Sequence, residues 1–306
     1  MSRVAVRIHG VMGDAILANR FIRPILDENK VTKVDAFITT SGKGFYNADV
    51  LQFFWPNFYN KIERVELKNN NEFYANNLYG GLENYVGHIK NLPESILEEI
   101  KTYDKFYDLN TDTMSWIDAG FNWRNYFYTF PLPQVGEPKP KFDIPSSYIV
   151  IHPFREIIDE RCFSMDKLKK VIERLPQKYK IIIISSPKYL KDLNPISSDR
   201  VIIADANFFE TFYIIKNCAG FIGIDSGWKC VAWMYGKPML TLVSCPSNFN
   251  PIPSFRVRWQ IFEESCLPTS ASAIDIVNTI NNFMDNQLSW FYPGVPDINR
   301  FLLKRF

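Results

Sequence analysis

Residues 220–242, GFIGIDSGWKCVAWMYGKPMLTL, decide the fold of this chain. The apolar run Phe221 to Ile224 reads as a buried strand that ends abruptly at Asp225-Ser226-Gly227, a sequence suited to a tight turn and the mouth of a helix. That helix is short. It carries Val231, Ala232, Trp233 and Met234 inward and stops at Gly236, because Lys237-Pro238 bars its continuation, and Met239 to Val243 then begins a second apolar strand. Strand, turn, helix and strand in this order make a βαβ unit. In an open parallel sheet, ligands sit at the carboxyl ends of strands, where helix N-termini present free backbone N–H groups suited to phosphate. Spacing alone serves two readings equally: a phosphate-receiving turn, or a well-capped βαβ unit without a ligand, since Asp and Ser also cap helices routinely.

Working outward, the same rhythm recurs. Tyr148 to His152 reads as a strand, Ser164 caps a helix running to Leu175, and Lys180 to Ile184 and Arg200 to Ile203 are buried strands. Asn207 opens a helix with Glu210 three residues on, a capping-box pair. Ser270 to Met284 is a closing helix. At the other end, Val4 to His9 is a strand followed by Gly10-Val11-Met12-Gly13-Asp14, a tight turn into a helical pattern from Ala15 to Asn29 that Pro24 bends or restarts. Val34 to Thr39, Ile62 to Leu67 and Lys105 to Leu109 are further strands. Ala48 to Phe54 and Asn91 to Lys101 are helices, the latter with Pro93 in its first turn. Residues 69–81 and 116–130 show no clean period.

Pro131 to Pro145 holds five Pro and a Gly, the strongest linker signal in the chain. The domain boundary is placed there: residues 1–140 form an N-terminal Rossmann-like domain, 141–286 a C-terminal one, and 287–306 a tail that packs back on the first. Strands alternating with helices in both halves predict an α/β protein of two doubly wound domains facing each other across a cleft.

A chain of 306 residues, 46% hydrophobic and 22% charged, has the length and composition of a two-domain globular protein. A net charge of +2 lacks the basic excess of a dedicated nucleic-acid binder, so none is expected. The five Cys are scattered without CxxC or Cys/His ligand spacing, which disfavours a disulfide framework or structural zinc. The N-terminus lacks a signal-peptide h-region, and no run approaches the roughly 18 apolar residues of a membrane-spanning helix. A cytoplasmic location is expected. Arg300, Lys304 and Arg305 stand beside aromatics and suit peripheral contact with the inner face of a membrane.

Three matches stand in order: Gly13-Asp14 after the first strand, Ile151-His152-Pro153 opening the second half, and Asp225-Ser226-Gly227 before a helix that leads to Gly236-Lys237-Pro238. Together they resemble the heptosyltransferase family of GT-B glycosyltransferases, whose members transfer heptose from ADP-heptose to lipopolysaccharide. The resemblance covers most of the second half and about the first thirty residues. One departure is plain: where the family has His three residues after the Gly of D-[ST]-G, this chain has Cys230, with Trp228 and Lys229 between.

The resemblance implies a nucleotide-diphosphate sugar as donor, a glycan or glycolipid as acceptor, and inversion by direct displacement with Asp14 as general base. From its sequence position alone, Asp14 is a helix cap beside Gly13. The departing diphosphate needs positive charge and free N–H groups. Arg155, Arg161 and Lys188 after strand ends, the backbone at Ser226, Gly227 and Trp228, and Lys229 on the first turn of the following helix are placed to provide them, and Gly13 is counted with them on the donor and phosphate side. Lys229 can equally point to solvent. Asp225 is too negative to touch phosphate; it caps the helix or accepts from sugar hydroxyls. His152 either packs at its strand end or bonds a substrate. No D-x-D occurs, so metal-independent transfer without a cofactor is expected. Two other readings remain open: a glycosyltransferase acting on nucleic acid or protein, and a non-catalytic nucleotide-sugar-binding protein.

Overall fold

The computed structural model describes residues 2–40, 44–67, 89–110, 131–154, 162–243 and 266–285. The chain divides into two compact units between Gly136 and Glu137. No helix among the described residues is long and apolar enough to cross a membrane.

In the first unit, strands β1 (Val4–His9), β2 (Val34–Thr39), β3 (Tyr59–Val65) and β4 (Lys105–Asn110) form an all-parallel sheet in the order β3-β2-β1-β4. Every residue of β1 is buried, as a central parallel strand covered on both faces should be. Ala5, Phe37 and Val65 pack with Leu92, Tyr103 and Ile96, the last on helix α4 (Glu94–Ile100). Helix α1 (Met12–Asn19) lies against β1 and against α3 (Tyr46–Phe54). Pro24 falls in the first turn of α2 (Ile22–Asn29), where its missing N–H has no intrahelical partner to lose. The helical pattern therefore restarts rather than bends.

The second unit runs β5 (Tyr148–His152), α5 (Met165–Arg174), β6 (Lys180–Ile183), β7 (Val201–Ile203), α6 (Phe208–Lys216), β8 (Gly220–Ile224), α7 (Gly227–Met234), β9 (Met239–Val243), β10 (Cys266–Pro268) and α8 (Ala273–Asp285). Its parallel sheet has the order β10-β9-β8-β5-β6-β7. Counted from β5 as the first strand of this unit, that is 6-5-4-1-2-3, the doubly wound order. Alternation along β5 explains why both faces are covered. Ile149 and Ile151 enter a core with Leu168 and Val171 of α5 and Ile276 and Ile280 of α8. On the opposite face, Tyr148 donates its hydroxyl to the Ile214 carbonyl of α6 at 2.8 Å.

Helix ends follow local chemistry. Asn207 and Glu210 make the reciprocal capping box, with Asn207 N–H on Glu210 Oε2 at 2.7 Å and Glu210 N–H on Asn207 Oδ1 at 2.9 Å. Helix α7 closes at Gly236, whose φ of +63° is left-handed. There Lys237 N–H reaches Ala232 O at 3.0 Å and Gly236 N–H reaches Trp233 O at 2.9 Å, the paired bonds of a Schellman end.

Several expected boundaries shift. Pro93 is extended (ψ 145°) and precedes α4 rather than sitting in its first turn, so the helix starts at Glu94. The closing helix starts at Ala273, not Ser270, because Ser272 Oγ accepts from Asp275 N–H at 3.2 Å and so caps it. Strand β3 runs from Tyr59 to Val65 rather than from Ile62 to Leu67, since Tyr59 and Lys61 already pair with Val34 and Asp35 of β2 and the pairing ends where Val65 meets Thr39. The tail 287–306 lies outside the described residues.

Candidate active site

In a doubly wound sheet, the connections from two neighbouring strands depart to opposite sides at one point, leaving a crevice at their carboxyl ends. In the second unit this point lies between β5 and β8. His152 ends β5 and pairs in register with Gly223 of β8. Its Nδ1 lies 3.1 Å from Ser226 Oγ, so one hydrogen bond spans the switch point. His152 is buried, and Ser226 is the N-cap of α7 without capping it through its side chain, which leaves the hydroxyl directed to the histidine.

Asp225 does not cap α7: its carboxylate is ion-paired with Lys229, one helical turn on. The Lys229 side chain is only 8% exposed against 36% for Asp225, so of the two directions open to it in the sequence, toward phosphate or toward solvent, the solvated one is not taken. A buried ammonium needs a carboxylate or anion beside it, and the i,i+4 spacing supplies one. Trp228 packs against Phe208 and Phe212 of α6, with ring centroids 5.4 and 5.6 Å away. Cys230 is buried beneath this turn. Lys188 is exposed in the turn after β6, its ammonium 4.7 Å from the Tyr189 ring centroid. Arg155 and Arg161 lie outside the described residues.

The first unit has its own switch point, between β1 and β4. Gly13 and Asp14 stand in the first turn of α1, directly after β1. Asp14 is 5% exposed, and its Oδ2 accepts from the Val11 N–H at 2.8 Å. That bond holds the carboxylate back over Gly10. Gly10 has a φ of +118°, and a Cβ there would stand 2.4 Å from Asp14 Oδ2. Gly10→Ala is therefore expected to displace the Asp14 carboxylate and destabilise the unit by about 2 kcal/mol through strained backbone and clash. Urea denaturation checks this; a loss under about 0.5 kcal/mol would show that the turn relaxes freely.

Beneath Asp14 lies a polar layer that the sequence reading did not single out. His9 Nδ1 is 2.8 Å from Thr39 Oγ1, and Asn47 Nδ2 donates to the carbonyls of Gly10 at 2.8 Å and Thr39 at 3.0 Å. Two residues down β1, Arg7 is fully buried and grips Asp108 of β4 through Nε at 2.9 Å and Nη2 at 2.8 Å. The available signal was a pair of opposite charges inside two apolar strands.

Burial and the neighbouring Arg7 lower the pKa of His9 to about 4, against the opposing pull of Asp14. Because the folded value is depressed from 6.5, the unfolded chain takes up a proton first as pH falls. The contribution of His9 to stability is thus intact above about pH 6.5 and shrinks steadily down to about pH 4. The thermal midpoint is expected to drop across that window. His9→Gln should flatten the drop, and an unchanged slope in the variant would refute the assignment.

Among the described residues no group of His, Cys, Asp and Glu is gathered to hold a metal ion. Two doubly wound parallel α/β units in one chain, with polar side chains collected at the carboxyl ends of the sheets, define the GT-B-like class. The glycosyltransferase family 9 (heptosyltransferase) model matches residues 106–269, more than half of the chain. The chain belongs to this family and is a glycosyltransferase.

Solved structures agree on the fold. A family 9 glycosyltransferase from Veillonella parvula superposes with a TM-score of 0.58 at 11% identity, over 93% of this chain and 98% of that one. ADP-heptose lipopolysaccharide heptosyltransferase II from E. coli gives 0.54 at 12%, over 93% and 99%. TibC from enterotoxigenic E. coli, described as an iron-containing dodecameric glycosyltransferase, gives 0.50 at 11%, over 94% and 77%. No curated protein matches the chain.

Proposed function

We propose that the protein transfers a sugar from a nucleotide-diphosphate sugar to a hydroxyl of a glycan or glycolipid, with inversion and without a metal ion. The second unit (residues 141–286 in the sequence reading) binds the donor, and the first (1–140) binds the acceptor. The observation that carries the reading is the His152–Ser226 hydrogen bond across the second switch point, with the buried Lys229 ammonium on the adjoining first turn of α7. A helix start with free N–H groups at Ser226 and Gly227, beside a desolvated cation, suits a diphosphate. Asp225 then neutralises Lys229 when the phosphate is absent, and exchanges that partner for sugar hydroxyls when it is bound. Lys188 adds a further cation, Arg155 and Arg161 are assigned to the diphosphate by their sequence position alone, and His152 orients Ser226.

On the acceptor side Asp14 takes the hydroxyl proton as the oxygen attacks the anomeric carbon, and the diphosphate leaves from the opposite face of the sugar. Stabilisation of the leaving group comes from Lys229, the helix start and the other cations, so no divalent ion is called on.

The test compares a nucleoside diphosphate with its monophosphate. The wild type is expected to bind the diphosphate at least tenfold more tightly, and Lys229→Met to lose most of that margin; equal margins would sink the donor-site assignment. Transfer should also survive EDTA. Loss of activity restored by iron, manganese or magnesium would overturn metal independence. Cys230, buried where the family has His, favours a second reading as a non-catalytic nucleotide-sugar-binding protein. That reading predicts the same diphosphate binding with no product formed.

A further inference from the structure

Among the described residues, Val11, Tyr46, Leu132, Val135 and Ile274 are the exposed large hydrophobic side chains. Leu132 and Val135 belong to the Pro-rich connection, and Ile274 to the first turn of α8. Val11 and Tyr46 are placed differently. Both follow the carboxyl ends of central strands of the first sheet, Val11 after β1 and Tyr46 at the start of α3 after β2. Each is tied to the turn that carries Asp14. The Val11 N–H is held by Asp14 itself at 2.8 Å. Next to Tyr46, the buried Asn47 spans from α3 to the Gly10 and Thr39 carbonyls, which fixes the start of that helix against the β1–α1 turn.

Tyr46 is 55% exposed at the start of α3, the end of that helix that Asn47 ties to the turn carrying the candidate base. Ring faces carry partial negative charge. The C–H groups on one side of a pyranose carry partial positive charge, so they match such a face while the ring's hydroxyls remain directed outward. An apolar rim held in place beside a buried carboxylate is the arrangement a sugar acceptor needs: a flat surface to stack on, and a base for one hydroxyl.

We propose that Tyr46, flanked by Val11, is the platform on which the acceptor's sugar ring stacks, presenting one hydroxyl to Asp14. This rests on the reading of the first unit as the acceptor side. Saturation-transfer NMR with methyl glucoside, methyl galactoside and methyl mannoside as probes tests it. At least one probe is expected to take up saturation on the C–H protons of one ring face with the wild type and with Tyr46→Phe. Tyr46→Ala and Tyr46→Gln should reduce that transfer at least fivefold. Both variants should keep the wild-type stabilisation by nucleoside diphosphate, which shows that they are folded and that the donor side is intact. Undiminished transfer in either variant, or no transfer to any probe from the wild type, overturns the platform while diphosphate stabilisation still supports the donor reading. Absence of diphosphate stabilisation in the wild type is instead the failure of the donor reading.

Discussion

Asp14→Asn is expected to lower the rate of transfer on the order of 10² to 10⁴-fold, the usual contribution of a positioned general base. The amide keeps an oxygen to accept from the Val11 N–H, which Asp14 now binds at 2.8 Å, so the turn and the helix start should persist. Exchanging a charged acceptor for a neutral one at this position costs about 1 kcal/mol of stability, far too little to explain such a loss of rate. Nucleoside-diphosphate affinity should be unchanged, because Asp14 belongs to the first unit. Asp14→Ala removes the capping bond as well and should be less stable at a similarly low rate. If Asp14→Asn transfers sugar at the wild-type rate, Asp14 is a helix cap and the base lies elsewhere.

The largest stability effect is expected at Asp108→Ala. Arg7 has no exposed side-chain surface, and Asp108 is its two-bond partner from the neighbouring strand. Removing the carboxylate leaves a buried guanidinium without that compensation, a change that typically costs 3–5 kcal/mol. Because Asp108 is 24% exposed, water can partly replace it, and a loss of about 3 kcal/mol is expected. Replacing both partners, as Arg7→Met with Asp108→Leu, should recover most of that loss, since an apolar pair of similar size carries no desolvation penalty. Urea denaturation of the three proteins decides it. A single-variant loss below about 0.5 kcal/mol would show that the pair lies in a far wetter place than its burial indicates.

Legibility followed how local the physics was. Tyr148–His152 and Met239–Val243 were read from the sequence to the residue, because uninterrupted apolar runs between turn residues leave a parallel strand few alternatives. The end of α7 was equally plain, since only glycine takes the left-handed backbone at Gly236 at low cost. The order of strands in each sheet is not local. Neither switch point is therefore visible until β5 is seen beside β8, and with it the His152–Ser226 bond. Asp225 and Lys229 show the intermediate case. Their i,i+4 spacing was in the sequence, but a lysine on the first turn of a helix is ordinarily solvated, and only its burial under the neighbouring elements makes the ion pair obligatory. Arg7 was missed because a charged residue within an apolar strand acquires meaning only with the register that sets it opposite Asp108.

The most direct test of the central claim is the thermal midpoint of the full chain with ADP, UDP and GDP added in turn. One nucleoside diphosphate is expected to stabilise both the wild type and Asp14→Asn, by about 2.7 kcal/mol at a hundredfold excess over its dissociation constant. Its monophosphate should do markedly less. If no nucleoside diphosphate moves the midpoint of the wild type, the switch point of the second unit is not a donor site, and the account of this protein as a nucleotide-sugar-dependent transferase is contradicted.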